Sequence, residues 1–312
     1  MKKASKRKSS YQLKTKPPNT ITKGRILVVN DEEPFREIAA CMLTSAGYQC
    51  RTASDGLEAL AALDSGKEFE LLLTNLMMPN LDGIGLLERT KDNFPDMPVV
   101  VETATHDISV ALAAIRNGAY DYLLEPFERE QLLTLVRRVL EYRCLKLENR
   151  GYKKKLGTLA TPTNHRPERI LMQHNEEPIR EICASLLTSE GYEIRQATSA
   201  EEALEILRSD DEFALLLCKV VESVEEKLFE RLAETGPDIP AVVWGCRPVP
   251  VFLNALREGA HDYIAVPFER EELLNVVRRA IEYRRLKLEN RALRAQVARL
   301  TKRNSIVRQV PK

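Results

Sequence analysis

Residues 71–80, LLLTNLMMPN, end an apolar run on Asn75 and pass into a turn built on Met78-Pro79-Asn80-Leu81-Asp82-Gly83. A run such as Leu71, Leu72 and Leu73 reads as a buried parallel strand, and the side chain where such a strand meets its turn faces the ligand crevice. An amide in that place can hydrogen-bond or lend an oxygen to a cation, but its nitrogen is not a competent nucleophile. The sequence has no Gly-rich phosphate loop, catalytic triad pattern or metal motif, so no enzymatic activity and no cofactor are expected. The cysteines (Cys41, Cys50, Cys144, Cys183, Cys218 and Cys246) are scattered, without a C-x-x-C pair or a histidine at ligand spacing, which fits buried thiols better than zinc or disulfides. His174, whose evident acidic neighbour is Glu176, is expected to be structural or hydrogen-bonded, as are His106, His165 and His261.

The elements that must position Asn75 are written twice. RILVVNDEEPFREIAACMLTSAGYQC aligns with RILMQHNEEPIREICASLLTSEGYEI, and AIRNGAYDYLLEPFEREQLLTLVRRVLEYRCLKLENR aligns with ALREGAHDYIAVPFEREELLNVVRRAIEYRRLKLENR. Each copy is too long for a solenoid repeat, so the chain carries a duplicated domain. In the first copy, strands are expected at 25–29, 49–53, 71–74, 99–103 and 121–124, alternating with helices at 34–46, 56–65, 83–93, 108–117 and from 129 onward. That alternation predicts an α/β fold, two tandem doubly wound parallel five-stranded sheets, each with an extended C-terminal helix. The expected boundaries are a basic disordered tail at 1–23, a first domain at 24–143, a helix extension and linker at 144–167, a second domain at 168–284 and a helical basic tail at 285–312.

The last helix keeps heptad-like positions at Leu286, Leu293, Val297 and Leu300, interrupted by Asn290. This pattern fits a short coiled coil or an extended helix packed on its own domain. The net charge of +1 hides an uneven distribution, because the first 24 residues contain Lys and Arg but no acid. Such ends act as solvated tails or bind nucleic acid or anionic lipid. No segment is apolar enough to span a bilayer and the N-terminus lacks the hydrophobic stretch of a signal peptide, which points to a cytoplasmic protein with no membrane partner.

ILVVNDEE, LLLTNLMMPNLDG, VVVETA and GAYDYLLEPFERE together resemble the receiver domain of two-component response regulators, and the resemblance extends over both copies. It implies a flavodoxin-like fold. It also implies a phosphoryl group taken from a histidine kinase onto an Asp ending the third strand, with Mg²⁺ held by an acidic pair after the first, a Thr or Ser after the fourth and a Lys after the fifth. Carried over residue by residue, the acceptor position holds Asn75, the acidic pair is Asn30-Asp31 and the lysine position holds Glu125; Asp31 and Thr103 match. Asp31 and Glu125 could share a divalent cation with the Asn75 oxygen, against the alternative of a polar crevice without metal.

The second copy has drifted further, with His174-Asn175 for the acidic pair, Lys219 for the acceptor, Gly245 for the Thr and Val266 for the Lys. Lys219 is expected to pair with Glu176. Tyr122 and Tyr263 match the family's switch aromatic, followed by Phe127 and Phe268.

The expectation is a phosphorylation-independent tandem pseudo-receiver acting through protein–protein contacts. Implied partners are histidine kinases, response regulators or a second copy. The expected docking face carries Arg116, Asp121, Arg129, Glu130, Arg137 and Arg138, with Arg257, Asp262, Arg270, Glu271, Arg278 and Arg279 in the second copy; it suits self-association or docking between the copies. Rival readings are a nucleic-acid-associated regulator using the basic ends and a phosphorelay receiver with an unusual acceptor.

Overall fold

The apolar runs form the strands that their pattern requires. The computed structural model describes residues 23–66, 68–104, 108–157, 167–209, 212–219, 231–232, 238–246 and 249–307. His106, His165, the basic segment before Lys23, most of the linker and the turn after Lys219 lie outside the described residues.

The first unit runs β1 (Lys23–Val29), α1 (Glu33–Ser45), β2 (Tyr48–Ala53), α2 (Gly56–Leu63), β3 (Leu71–Asn75), α3 (Gly83–Asn93), β4 (Val99–Ala104), α4 (Ile108–Arg116), β5 (Asp121–Glu125) and α5 (Arg129–Leu156). The second runs β6 (Arg169–Gln173), α6 (Glu177–Ser189), β7 (Glu193–Ala197), α7 (Ala200–Ser209), β8 (Phe213–Lys219), β9 (Ala241–Cys246), α8 (Val249–Glu258), β10 (Asp262–Val266) and α9 (Arg270–Val307). The sheets are parallel, in the orders β2-β1-β3-β4-β5 and β7-β6-β8-β9-β10. Strand order reverses beside β1 in one sheet and β6 in the other, which places a crevice at the carboxyl ends of their strands.

Helices cover both faces, which explains why the strands are nearly all apolar rather than alternating. On one face Ile26, Val28, Leu71, Leu73, Val100 and Leu123 pack under α1 and α5. On the other Leu27, Val29, Leu72, Val99 and Val101 pack under α2 and α3. Because side chains alternate along a strand, Asn30, Asn75, Glu102 and Glu125 continue the first series to the crevice end. Gly83 lets α3 close against that end: a Cβ there would lie 2.3 Å from the carbonyl oxygen of Asn75.

The two long terminal helices pack against each other. Tyr142 donates to Glu282 at 2.7 Å, Tyr283 donates to Glu141 at 2.6 Å and Asn290 donates to the Asn149 oxygen at 2.8 Å. Pairing advances in the same direction along both helices, so α5 and α9 run parallel. Asn149 and Asn290 are 2% and 4% exposed, a polar pair buried in an otherwise apolar seam that fixes register in parallel two-stranded coils. Of the heptad positions expected in α9, Leu293 is buried, but Leu300 is 45% exposed. The register that sets Asn149 beside Asn290 sets Leu156, the end of α5, beside Val297, leaving Leu300 beyond its partner helix.

The charges expected on a docking face divide accordingly. Arg138 bonds Asp121 (2.5 Å) and Asp262, and Arg279 bonds Asp121 (2.5 Å) and Asp262 (2.9 Å). Each arginine thus bridges its own unit and the other, and all four side chains are at most 12% exposed. Burial alone would raise the Asp262 pKa; the two guanidiniums overcome it and hold the carboxyl down to about 2. Arg116 pairs with Glu271 and Arg257 with Glu130 around this cluster. Of the two uses expected of this face, self-association and docking between the copies, the second is the one seen, while Arg129, Arg137, Arg270 and Arg278 stay exposed.

Candidate functional site

In the first crevice, Asn30 is 1% exposed, and its side-chain nitrogen donates to Glu102 Oε2 at 3.2 Å while its oxygen accepts the backbone N–H of Glu32 at 2.9 Å. Asn75 donates from Nδ2 to Asp31 Oδ1 at 3.1 Å and to the Met77 carbonyl at 3.2 Å, and its Oδ1 accepts the Met77 N–H at 3.3 Å. The nitrogen, not the oxygen, therefore faces Asp31. In this arrangement the Asn75 oxygen is turned to the backbone rather than toward Asp31 and Glu125, the residues weighed as a weak cation site. Among the described residues no three acidic, His or Cys side chains converge as metal ligands.

Glu102 was not singled out in the sequence, although one acid in the run VVVET was a visible signal. It is 1% exposed, directly across from Asn75 in the β3–β4 register, and its Oε1 is buried without a hydrogen-bond partner. Burial pushes its carboxyl up to about 8, with the Asn30 bond pulling down and the Glu125 charge adding to the rise. Burial, then the charges of Glu32 and Asp31, also raise Glu125.

Thr103 is 5% exposed and faces the other side of β4. Tyr122 does not turn its hydroxyl toward Thr103; it donates to Glu272 Oε1 on α9 at 2.5 Å, and Tyr263 accepts from Gln131 Nε2 on α5 at 3.2 Å. Glu272 and Gln131 occupy equivalent places in the repeat, so each switch-position tyrosine is tied to the other unit's last helix. Burial, then Glu272, raise the Tyr122 pKa, which leaves its hydroxyl a proton donor.

The second crevice is filled. Lys219 Nζ lies 2.9 Å from both Asn175 Oδ1 and Glu176 Oε1. His174 accepts the Glu176 N–H on Nδ1 at 3.0 Å, and its ring meets Trp244 edge-on at 5.0 Å. Burial, then Lys219, depress the His174 pKa, so the ring is neutral. Trp244 stands at the place of Glu102, is 1% exposed and donates to the Gln173 carbonyl at 3.3 Å. Gly245 is buried and Val266 half-buried beside it.

An amide thus stands across from an acid at the carboxyl ends of a 2-1-3-4-5 parallel sheet, where doubly wound folds place their ligand crevice. Residues 26–137 match the response regulator receiver domain family, and this part of the chain is a receiver domain. The DNA-binding transcriptional regulator NtrC of Salmonella typhimurium is 38% identical over 120 residues, which are 38% of this chain and 25% of that protein. An NtrX-like response regulator of Rickettsia bellii is 35% identical over 133 residues, 42% of this chain and 28% of that one. The crystal structure of the receiver domain of NtrX from Brucella abortus is 37% identical and superimposes with a TM-score of 0.36, covering 37% of this chain and 98% of that one. The match thus spans about a quarter of the length of the curated relatives.

Proposed function

We propose that the chain serves two-component signalling as a phosphorylation-independent tandem pseudo-receiver, a binding protein rather than an enzyme. The second unit is read as a receiver that has lost its site, and the partners are signalling proteins of the same pathway. The observation that carries this reading is the place of Asn75 directly across from buried Glu102 in the β3–β4 register. The acceptor carboxylate is replaced by an amide, and the interior is acidic where a transferred phosphoryl group needs cations. The filled second crevice, with Lys219 in the acceptor position, supports it.

The test is intact-mass spectrometry of the chain after incubation with Mg²⁺ and a small phosphodonor. A variant carrying Asn75→Asp, Glu125→Lys and Glu102→Val is run alongside. The natural chain stays unmodified and the variant gains a labile phosphoryl group. Phosphorylation of the natural chain would sink the reading and return it to the phosphorelay receivers with an unusual acceptor.

A further inference from the structure

We infer that the first crevice is a receptor for a lysine ammonium brought in by a partner protein, bound in the place where the second crevice holds its own Lys219. The two crevices make the argument by comparison within one molecule. Lys219 occupies the position of Asn75, and its ammonium is gripped by Asn175 and Glu176. The same two places in the first unit hold Asp31 and Glu32, a more anionic pair, while Asn75 supplies no cation to meet them. Arg36, the basic side chain beside them, is spent on backbone carbonyls, bonding those of Asn30 at 2.6 Å and Asp31 at 3.4 Å.

Deeper in, Trp244 seals the second crevice, whereas the first carries Glu102 with Oε1 buried and unpartnered between Asn30 and the charge of Glu125. A buried carboxyl oxygen without a partner is costly, and a cation alongside relieves that cost. Burial holds Glu102 up at about 8, and an ammonium stabilises its ionised form. The rim suits the aliphatic stem of lysine: Met77, whose backbone holds the Asn75 amide, is 70% exposed, and Phe35 on the first turn of α1 is 38% exposed.

The inference goes beyond the proposed function, and the mass measurement above and the titration below fail independently. Proton–nitrogen correlation spectra of the full chain follow the side-chain amide signals of Asn30 and Asn75. The titrants are Nα-acetyl-lysine N-methylamide, its neutral norleucine counterpart and MgCl₂. The lysine compound shifts both signals saturably and the norleucine compound does not. Glu102→Gln, which keeps shape and removes charge, weakens the lysine compound by about tenfold. Asn75→Lys, which supplies the ammonium from within, abolishes its binding. No saturable shift with the lysine compound, equal shifts with norleucine, or saturation by Mg²⁺ alone would overturn the inference.

Discussion

The two crevices occupy the same place in the same fold and have been filled in opposite ways. In the second, Trp244, His174 and Lys219 close the space with ring contacts and a solvent-exposed ion pair to Glu176 at the rim. In the first, the equivalent positions are Glu102, Asn30 and Asn75, which leave a polar interior with one buried carboxyl group. A plugged crevice contributes to stability as any core does, whereas a buried polar one costs stability. Under the proposed reading, the difference gives structure to one unit and recognition to the other.

Mutations should separate the two in sign as well as size. Trp244→Ala removes a fully buried indole and should cost about 3–5 kcal/mol in urea denaturation. If the loss were slight, the second crevice would be no plug. Arg138→Ala leaves Asp121 and Asp262 facing each other with one guanidinium and should cost about 3 kcal/mol, with the units parting in small-angle scattering. The same cluster sets acid behaviour. Asp262 is held from its ordinary 3.8 to about 2, so its contribution is present above its ordinary value and lost as pH falls through about 2. Far-UV and scattering transitions in that window should move together, and Asp262→Asn should remove that part of the pH dependence.

Glu102→Gln should do the reverse of Trp244→Ala. The unfolded chain ionises Glu102 near its ordinary 4.5 while the folded chain keeps the proton until about 8, so stability falls as pH rises between those values. The variant should therefore be more stable by roughly 4 kcal/mol at pH 8 and by less than about 1 kcal/mol at pH 5. Equal effects at both pH values would mean Glu102 is already ionised in the fold. Lys219→Met should be nearly silent in a thermal melt, because Glu176 is exposed and its ion pair is screened by water.

Much of this was legible in the sequence. Continuous runs such as Leu71–Leu73 and Val99–Val101 announced two-sided burial, and their spacing placed the helices within a residue or two. The amide at the end of the third strand, Asn75, was plain. Glu102 was overlooked because it precedes the motif residue Thr103, and only the strand register reveals that it faces Asn75. Trp244 was missed for the same reason. Asp121, Arg138, Asp262 and Arg279 were noticed as charges. Their reciprocity depends on two chain segments about 140 residues apart meeting, which local pattern does not encode. The heptad-like pattern of α9 left a coiled coil and packing on its own domain both open; its partner is α5, and Leu300 lies past the end of it.

The reciprocal arginine–aspartate cluster also bears on how the chain came to differ from itself. Two identical subunits meeting on such a face must carry identical crevices, since one gene writes both. Joining the halves in one polypeptide makes their meeting independent of concentration and frees each from copying the other. One half can then be sealed with an indole while its twin keeps a carboxyl group in that place, a difference that a symmetric dimer cannot inherit.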